Sequence, residues 1–182
     1  MIHLNPLFDR FTPLHEASRT NQIHVVKYLL ENGANVNVKS KSNTYDSDYE
    51  TPIQKAAQFG HLSIVKYLVE KGAKIADDPE LIPEAADGWL EPGYLKIVQY
   101  LHENGADINS RSPLGNTGLK QAANRGNFPL VKYFIDQGVD INTRGDGGYS
   151  ALDDANFERG TLEGDKIIAY LLQHGAKCFK NC

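Results

Sequence analysis

Five segments of this chain repeat one another, and a chain built that way folds by stacking like units rather than by closing one layered core. Their second halves read Val25-Val-Lys-Tyr-Leu-Leu30, Ile64-Val-Lys-Tyr-Leu-Val69, Ile97-Val-Gln-Tyr-Leu-His102, Leu130-Val-Lys-Tyr-Phe-Ile135 and Ile167-Ile-Ala-Tyr-Leu-Leu172. Apolar residues at the first, second, fifth and sixth places fit a helix with one broad buried face and not the alternation of a strand. Gly33, Gly72, Gly105, Gly138 and Gly175 follow at a fixed distance. Each can adopt the left-handed conformation that ends a helix. The middle glycines set a period of 33 residues, and the first and last intervals are longer by six and four.

Upstream of each block stands a shorter segment: Thr12-Pro-Leu-His-Glu-Ala-Ser18, Thr51-Pro-Ile-Gln-Lys-Ala-Ala57, Leu81-Ile-Pro-Glu-Ala-Ala86, Thr117-Gly-Leu-Lys-Gln-Ala-Ala123 and Ser150-Ala-Leu-Asp-Asp-Ala155. Threonine or serine caps a helix whose first residue is often proline, and the small residues let neighbouring helices approach closely. Helices of about two turns fall below the ~12–15 residues at which an isolated helix is even marginal in water. Each must therefore be stabilised by the next repeat.

These motifs resemble the ankyrin repeat family. The resemblance rests on Thr12-Pro-Leu-His15, Ala56-Ala57, Gly60-His61, Gly33-Ala-Asn-Val-Asn37, Gly105-Ala-Asp-Ile-Asn109 and Gly138-Val-Asp-Ile-Asn142, and it covers about residues 7 to 179. It implies an all-α, L-shaped solenoid of five helix-turn-helix repeats with short β-hairpin fingers. The expectation is one domain over 1–182, with repeats at about 7–39, 46–78, 79–111, 112–144 and 145–179. The fingers and first helices would line a concave face that binds a protein. The column Tyr28, Tyr67, Tyr100, Tyr133 and Tyr170 would lie on the convex side, with rings packed between repeats.

Departures from the pattern mark where specificity is expected. The first finger, between Asn37 and Thr51, is six residues longer than the period requires; the third is nearly lost at Ala76-Asp-Asp-Pro-Glu80. Trp89-Leu-Glu-Pro92 is inserted between the helices of repeat three, and about four residues are inserted around Arg159-Gly-Thr-Leu-Glu-Gly164 in repeat five. Ile2, Leu4, Leu7 and Phe8 are placed to cover the edge of repeat one, and Trp89 to pack on Tyr94 or meet a partner.

Composition removes other classes. The 182 residues are 41% hydrophobic and 23% charged, with 19 basic against 23 acidic side chains and a net charge of −4. With no run of five like charges, nothing favours nucleic acid or an anionic membrane. No apolar stretch approaches the ~18 residues of a membrane span, and Met1 to Arg10 lacks the marks of a secretory signal, so a cytoplasmic location is expected. Cys178 and Cys182 read as reduced thiols, too few for a metal.

No catalytic residue, metal or cofactor is expected. His15 and His61 hold family framework positions, where the resemblance gives His15 hydrogen bonds between loops. His102 and His174 stand before helix-ending glycines, where a cation favours the dipole. His3 and His24 lack partners at ligand spacing. Asp77-Asp78, Asp153-Asp154 and the Asp46, Asp48, Glu50 group read as solvated turns, since none has the spacing of a calcium loop. Gly145-Asp-Gly-Gly148 lacks the lysine and hydroxyl of a phosphate loop and reads as a hairpin.

Partner contacts are expected at concave positions that break the repeat. Carried over from the family's register, these are Phe11, Arg19 and Thr20; Tyr45, Tyr49, Glu50, Gln58 and Phe59; Trp89 and Leu90; Leu114, Asn116, Asn124 and Arg125; Asp146, Tyr149, Phe157 and Glu158. Aromatic and arginine side chains dominate interface energetics when exposed. The expectation is a non-enzymatic module, a monomer when free, that binds a partner protein, in its sharpest form as a stoichiometric inhibitor or immunity protein of a toxin or enzyme. The alternatives are an effector or scaffold recruiting a cellular protein and, below it, an enzyme with chemistry in the two insertions, which offer Glu91, Arg159 and Glu163 but no nucleophile paired with a base.

Overall fold

The computed structural model describes residues 11–41, 49–76, 78–88 and 92–180, with only the backbone of residues 41, 49 and 92. Ten α-helices lie among them in chain-order pairs: α1 (Pro13–Arg19) with α2 (Ile23–Glu31), α3 (Pro52–Gln58) with α4 (Leu62–Glu70), α5 (Leu81–Ala86) with α6 (Pro92–Glu103), α7 (Gly118–Asn124) with α8 (Phe128–Asp136), and α9 (Ala151–Ala155) with α10 (Leu162–Gln173). The odd-numbered inner helices pack each on the next, and so do the even-numbered outer ones. None of the described helices is long and apolar enough to cross a membrane.

The inner helices start where hydroxyls can cap them. Thr51, Thr117 and Ser150 accept from the backbone N–H three residues on, at 3.3–3.4 Å. Ala56, Ala57, Ala85, Ala86, Ala122 and Ala123 are fully buried. Small side chains there bring successive inner helices together, and packing supplies the stability that five to seven residues cannot supply alone. On the outer layer Ile64, Val65, Leu68, Ile97, Val98, Leu101, Leu130, Val131 and Phe134 are fully buried. The five helix-ending glycines all have positive φ.

One framework position joins unit to unit. His15 Nδ1 accepts from the Thr12 N–H at 3.2 Å, so its Nε2–H donates to the Glu50 carbonyl at 2.9 Å. In the second unit Gln54 caps Thr51 and donates to Asp78 Oδ1 at 3.0 Å. In the fourth Lys120 donates to the Tyr149 carbonyl at 2.8 Å. In the fifth Asp153 accepts from Ser150 and from the N–H groups of Phe179 and Lys180 at 3.0 and 2.7 Å. Pro83 occupies the place in the third unit, where Arg125 instead reaches back to Asp87. A second link repeats between loops: Asn37 and Asn142 each accept from one N–H of the following unit and donate to its glycine carbonyl, Gly72 and Gly175.

The strands are few. Only β1 (Ser40–Lys41) and β2 (Tyr49–Glu50) pair among the described residues, antiparallel with Ser40 opposite Glu50, and Arg111 and Thr117 form an isolated bridge. Gly145 to Gly148, expected as a hairpin, is a hydrogen-bonded turn without strands. Beside both insertions the outer helix is lengthened at its start. α6 and α10 have 12 residues against 9 in α2, α4 and α8, an extra first turn that is capped in α10 by Thr161 accepting from Gly164 N–H at 3.0 Å.

Two expectations are corrected. Asp153 and Asp154 are not solvated turn residues: Asp153 is fully buried on α9, and Asp154 is half-buried against Lys120 at 2.7 Å. Asp78 is likewise half-buried, and burial raises its pKa against the hydrogen bonds from Glu80 and Gln54. Cys178 is disulfide-bonded rather than a reduced thiol. Cys182 and the edge residues Ile2, Leu4, Leu7 and Phe8 lie outside the described residues. The tyrosine column packs backwards along the stack: Lys27 lies 5.4 Å from the Tyr67 ring, Lys66 5.4 Å from Tyr100, His102 2.9 Å from the Tyr133 hydroxyl, and Phe128 edge-on to Tyr170.

Substituting Asp153 by alanine takes the acceptor from two donors of the buried Ser150 and from the part-buried amides of Phe179 and Lys180, so the chain should lose about 3 kcal/mol in urea unfolding. Hydrogen exchange should show the Phe179 and Lys180 amides unprotected first. His15 carries a pH signature. Burial first, with Lys55 adding, lowers its pKa, so the unfolded chain takes up the proton at about pH 6.5 while the folded chain does not. This stability is fully present above pH 6.5 and should fall by up to about 1.4 kcal/mol per pH unit below it. His15→Gln, which imitates Gln54, should flatten the slope between pH 6.5 and 5.

Candidate protein-binding face

The face presented by the inner helices and the loops before them collects most of the described candidate residues into small groups. Phe11 is half-buried, its ring 5.8 Å from His15 and 5.3 Å from the Lys55 ammonium. That ammonium donates to Glu50 at 2.5 Å and to Gln58 at 3.1 Å. Arg19 pairs with Glu16 at 2.6 Å, which lowers the Glu16 pKa, and lies 5.6 Å over the exposed Phe59 ring. Thr20 caps α1 and is exposed.

At the far end Tyr149 and the exposed Phe157 rings are 6.3 Å apart, with Lys180 5.0 Å from Tyr149. Glu158 ends the 3₁₀ turn Asn156–Glu158, and its carbonyl accepts from Thr161. Leu114 and Asp146 are exposed at neighbouring loops, joined by the Asp146 N–H to the Leu114 carbonyl at 3.3 Å. Asn116 and Asn124 are half-buried. Arg125 is not a loose anchor: it holds both carboxylate oxygens of Asp87 at 2.9 and 3.0 Å. Tyr45, Trp89, Leu90 and the Tyr49 side chain lie outside the described residues.

Sequence reasoning missed the middle turn of the inner helices, where Glu16, Lys55, Glu84, Gln121 and Asp154 share one register. The signal was available, since polar residues recur there between buried alanines and apolar positions. Lys55 and Asp154 are bridged to Glu50 and Lys120, and burial raises the Asp154 pKa despite Lys120. Glu84 is different. It is half-buried, and burial raises its pKa to about 7, with Asp87, Glu80 and Glu50 adding and Lys55 opposing.

Tyr94 fixes the floor beside it. Its buried ring fills the space at Gly88, where an added Cβ would sit 1.9 Å from the ring, and its hydroxyl donates to the Gln58 carbonyl at 3.2 Å. A cleft lined by Ile108, Thr117, Leu119 and Val139 encloses about 150 Å³, below the ~300 Å³ at which small-molecule sites begin. Among the described residues no group of three His, Cys, Asp or Glu could hold a metal ion.

Because the folded Glu84 pKa lies above its unfolded value of 4.5, the folded chain is penalised as pH rises from 4.5 through about 7. Glu84→Gln should therefore be more stable than the wild type at pH 8 by on the order of 2 kcal/mol, and equal to it near pH 4.5. Urea midpoints at the two pH values measure the difference.

Comparison with known proteins meets this geometry. Residues 84–182 match the family described as ankyrin repeats in three copies, and residues 14–69 match ankyrin repeats in many copies. A stretch of 35 residues is 51% identical to alpha-latrocrustotoxin-Lt1a of Latrodectus tredecimguttatus, covering 19% of this chain and 2% of the toxin. The likeness to the toxin is about one repeat long. With over half its length in one family match and the capped, glycine-ended helix pairs continuing through the rest, the chain belongs to the ankyrin repeat family.

Proposed function

We propose that this chain is a five-repeat, single-domain module over residues 1–182 that holds a partner protein on the concave side of its inner helices. Ankyrin repeats are protein–protein interaction modules, generally without catalytic activity. The observation that carries the concave-face reading is an exposed aromatic ring held by a neighbour toward each end of the inner row, Phe59 under Arg19 and Phe157 against Tyr149, whose own ring Lys180 covers. Rings already held by neighbours cost little entropy to bury, which suits them as anchors. Leu114 and Asp146, between them, belong to the same surface.

A stoichiometric inhibitor or immunity protein of a toxin or enzyme is the narrower form of this reading; the effector or scaffold is its alternative. The insertion in the fifth unit carries Arg159 and Glu163, of which Glu163 pairs with Lys166 at 2.8 Å along the first turns of α10. The toxin relative lends only a repeat unit, so it points to no target.

Pull-downs from the source organism with the wild type and a Phe59→Ala/Phe157→Ala variant test the face. Both side chains are exposed, so the variant should keep wild-type circular dichroism and lose at least ten-fold in capture. Undiminished capture by the folded variant overturns the reading. Loss of the captured protein's own activity at one equivalent of this chain would select the inhibitor.

A further inference from the structure

The two ends of the stack are unequal to its interior in a matched way. Val25 is 40% exposed, whereas its counterparts Ile64, Ile97, Leu130 and Ile167 are all at 0%. Tyr28 is 56% exposed, while the other four tyrosines of the column are half-buried against the preceding unit. Pro13 is exposed where Pro52, Leu81, Gly118 and Ala151 are buried. These residues form the face that every later unit lays on its predecessor.

At the other end Leu172 is 55% exposed and Ile168 half-buried, where Val131 is fully buried and Ile135 half-buried against the next unit. Here the lysine held by Lys27, Lys66 and Lys132 in other units is replaced by the exposed Ala169. The C-terminal end thus keeps an apolar face of the kind on which a further unit sits.

We infer that these two faces stack on each other between copies, the Val25 and Tyr28 edge of one chain seating on the Ile168, Ala169 and Leu172 edge of another. The occupant is a second copy because both halves of the joint belong to this chain and hold the register of the interface already built four times inside it. The packing of α8 on α10, with the Phe128 and Tyr170 rings in a T-shaped contact, is the template. The joint is heterologous and does not close, so it extends rather than stopping at a pair. It leaves the inner helices open and is independent of the concave-face reading. Few side chains are buried, so the association is weak and reversible.

Sedimentation velocity of the full chain from ~10 μM to ~1 mM should show the average mass rising about 1.5-fold or more above 20.2 kDa. Tyr28→Lys and Leu172→Lys, both at exposed positions and checked for folding by circular dichroism, should each be monomeric alone. Mixed one to one, they should form dimers and nothing larger, because each retains the face the other has lost. A wild type monomeric at every concentration overturns the proposal, and so does one that associates only after residues 1–10 are removed, which assigns the edge to that segment. Association that survives both substitutions, or a mixture that stays monomeric while the wild type associates, also overturns it.

Discussion

The fold depends on a polar side chain at the fourth place of four of the five inner-helix segments, because that group ties a two-turn helix to the loop that follows its unit. His15, Gln54, Lys120 and Asp153 differ in charge and shape, yet each spans 24 to 35 residues of chain to bond a backbone or loop group. Such short helices have no independent stability. The bond fixes how the next unit is placed, and the alanine contacts then bury what the bond has aligned. Where Pro83 forbids it, Arg125 and Asp87 join the same two units by a bidentate ion pair, so the constraint is met by a different chemistry one helical turn away.

The repeat period, the ten helices and their glycine ends were legible because they follow from local rules: apolar spacing, caps and left-handed glycines. The bridging role of Asp153 was not. An aspartate pair after a serine reads as a turn, and only the return of residues 179 and 180 onto α9 makes it a buried acceptor. For the same reason the ion pair of Arg125 was not legible, its partner Asp87 lying 38 residues away. Both insertions were found by length, but the added first turn of α10 depends on the Thr161 cap, whose effect shows only once the following backbone is helical.

On the inner face, charge is mostly spent inside the protein. Lys55, Lys120 and Arg125 each neutralise a neighbouring carboxylate, which leaves the aromatic rings and Leu114 as the exposed apolar area and Glu84 as a carboxyl whose pKa burial raises to about 7. A face of this kind gains affinity from rings and shape rather than from long-range attraction. Its on-rate should accordingly depend little on salt.

The tyrosine column shows how one residue serves stacking without fixing its neighbour. The ring meets an alkylammonium in two joints, an imidazole in a third and an aromatic edge in a fourth. Two partners bring a cation to the ring, the third an imidazole within hydrogen-bond distance of the hydroxyl and the fourth a perpendicular ring, so the joint tolerates substitution on one side while keeping tyrosine on the other. That tolerance lets the inner face and its loops vary from unit to unit, as the long β1–β2 loop and the extra turns of α6 and α10 do, while the spacing of the stack stays the same.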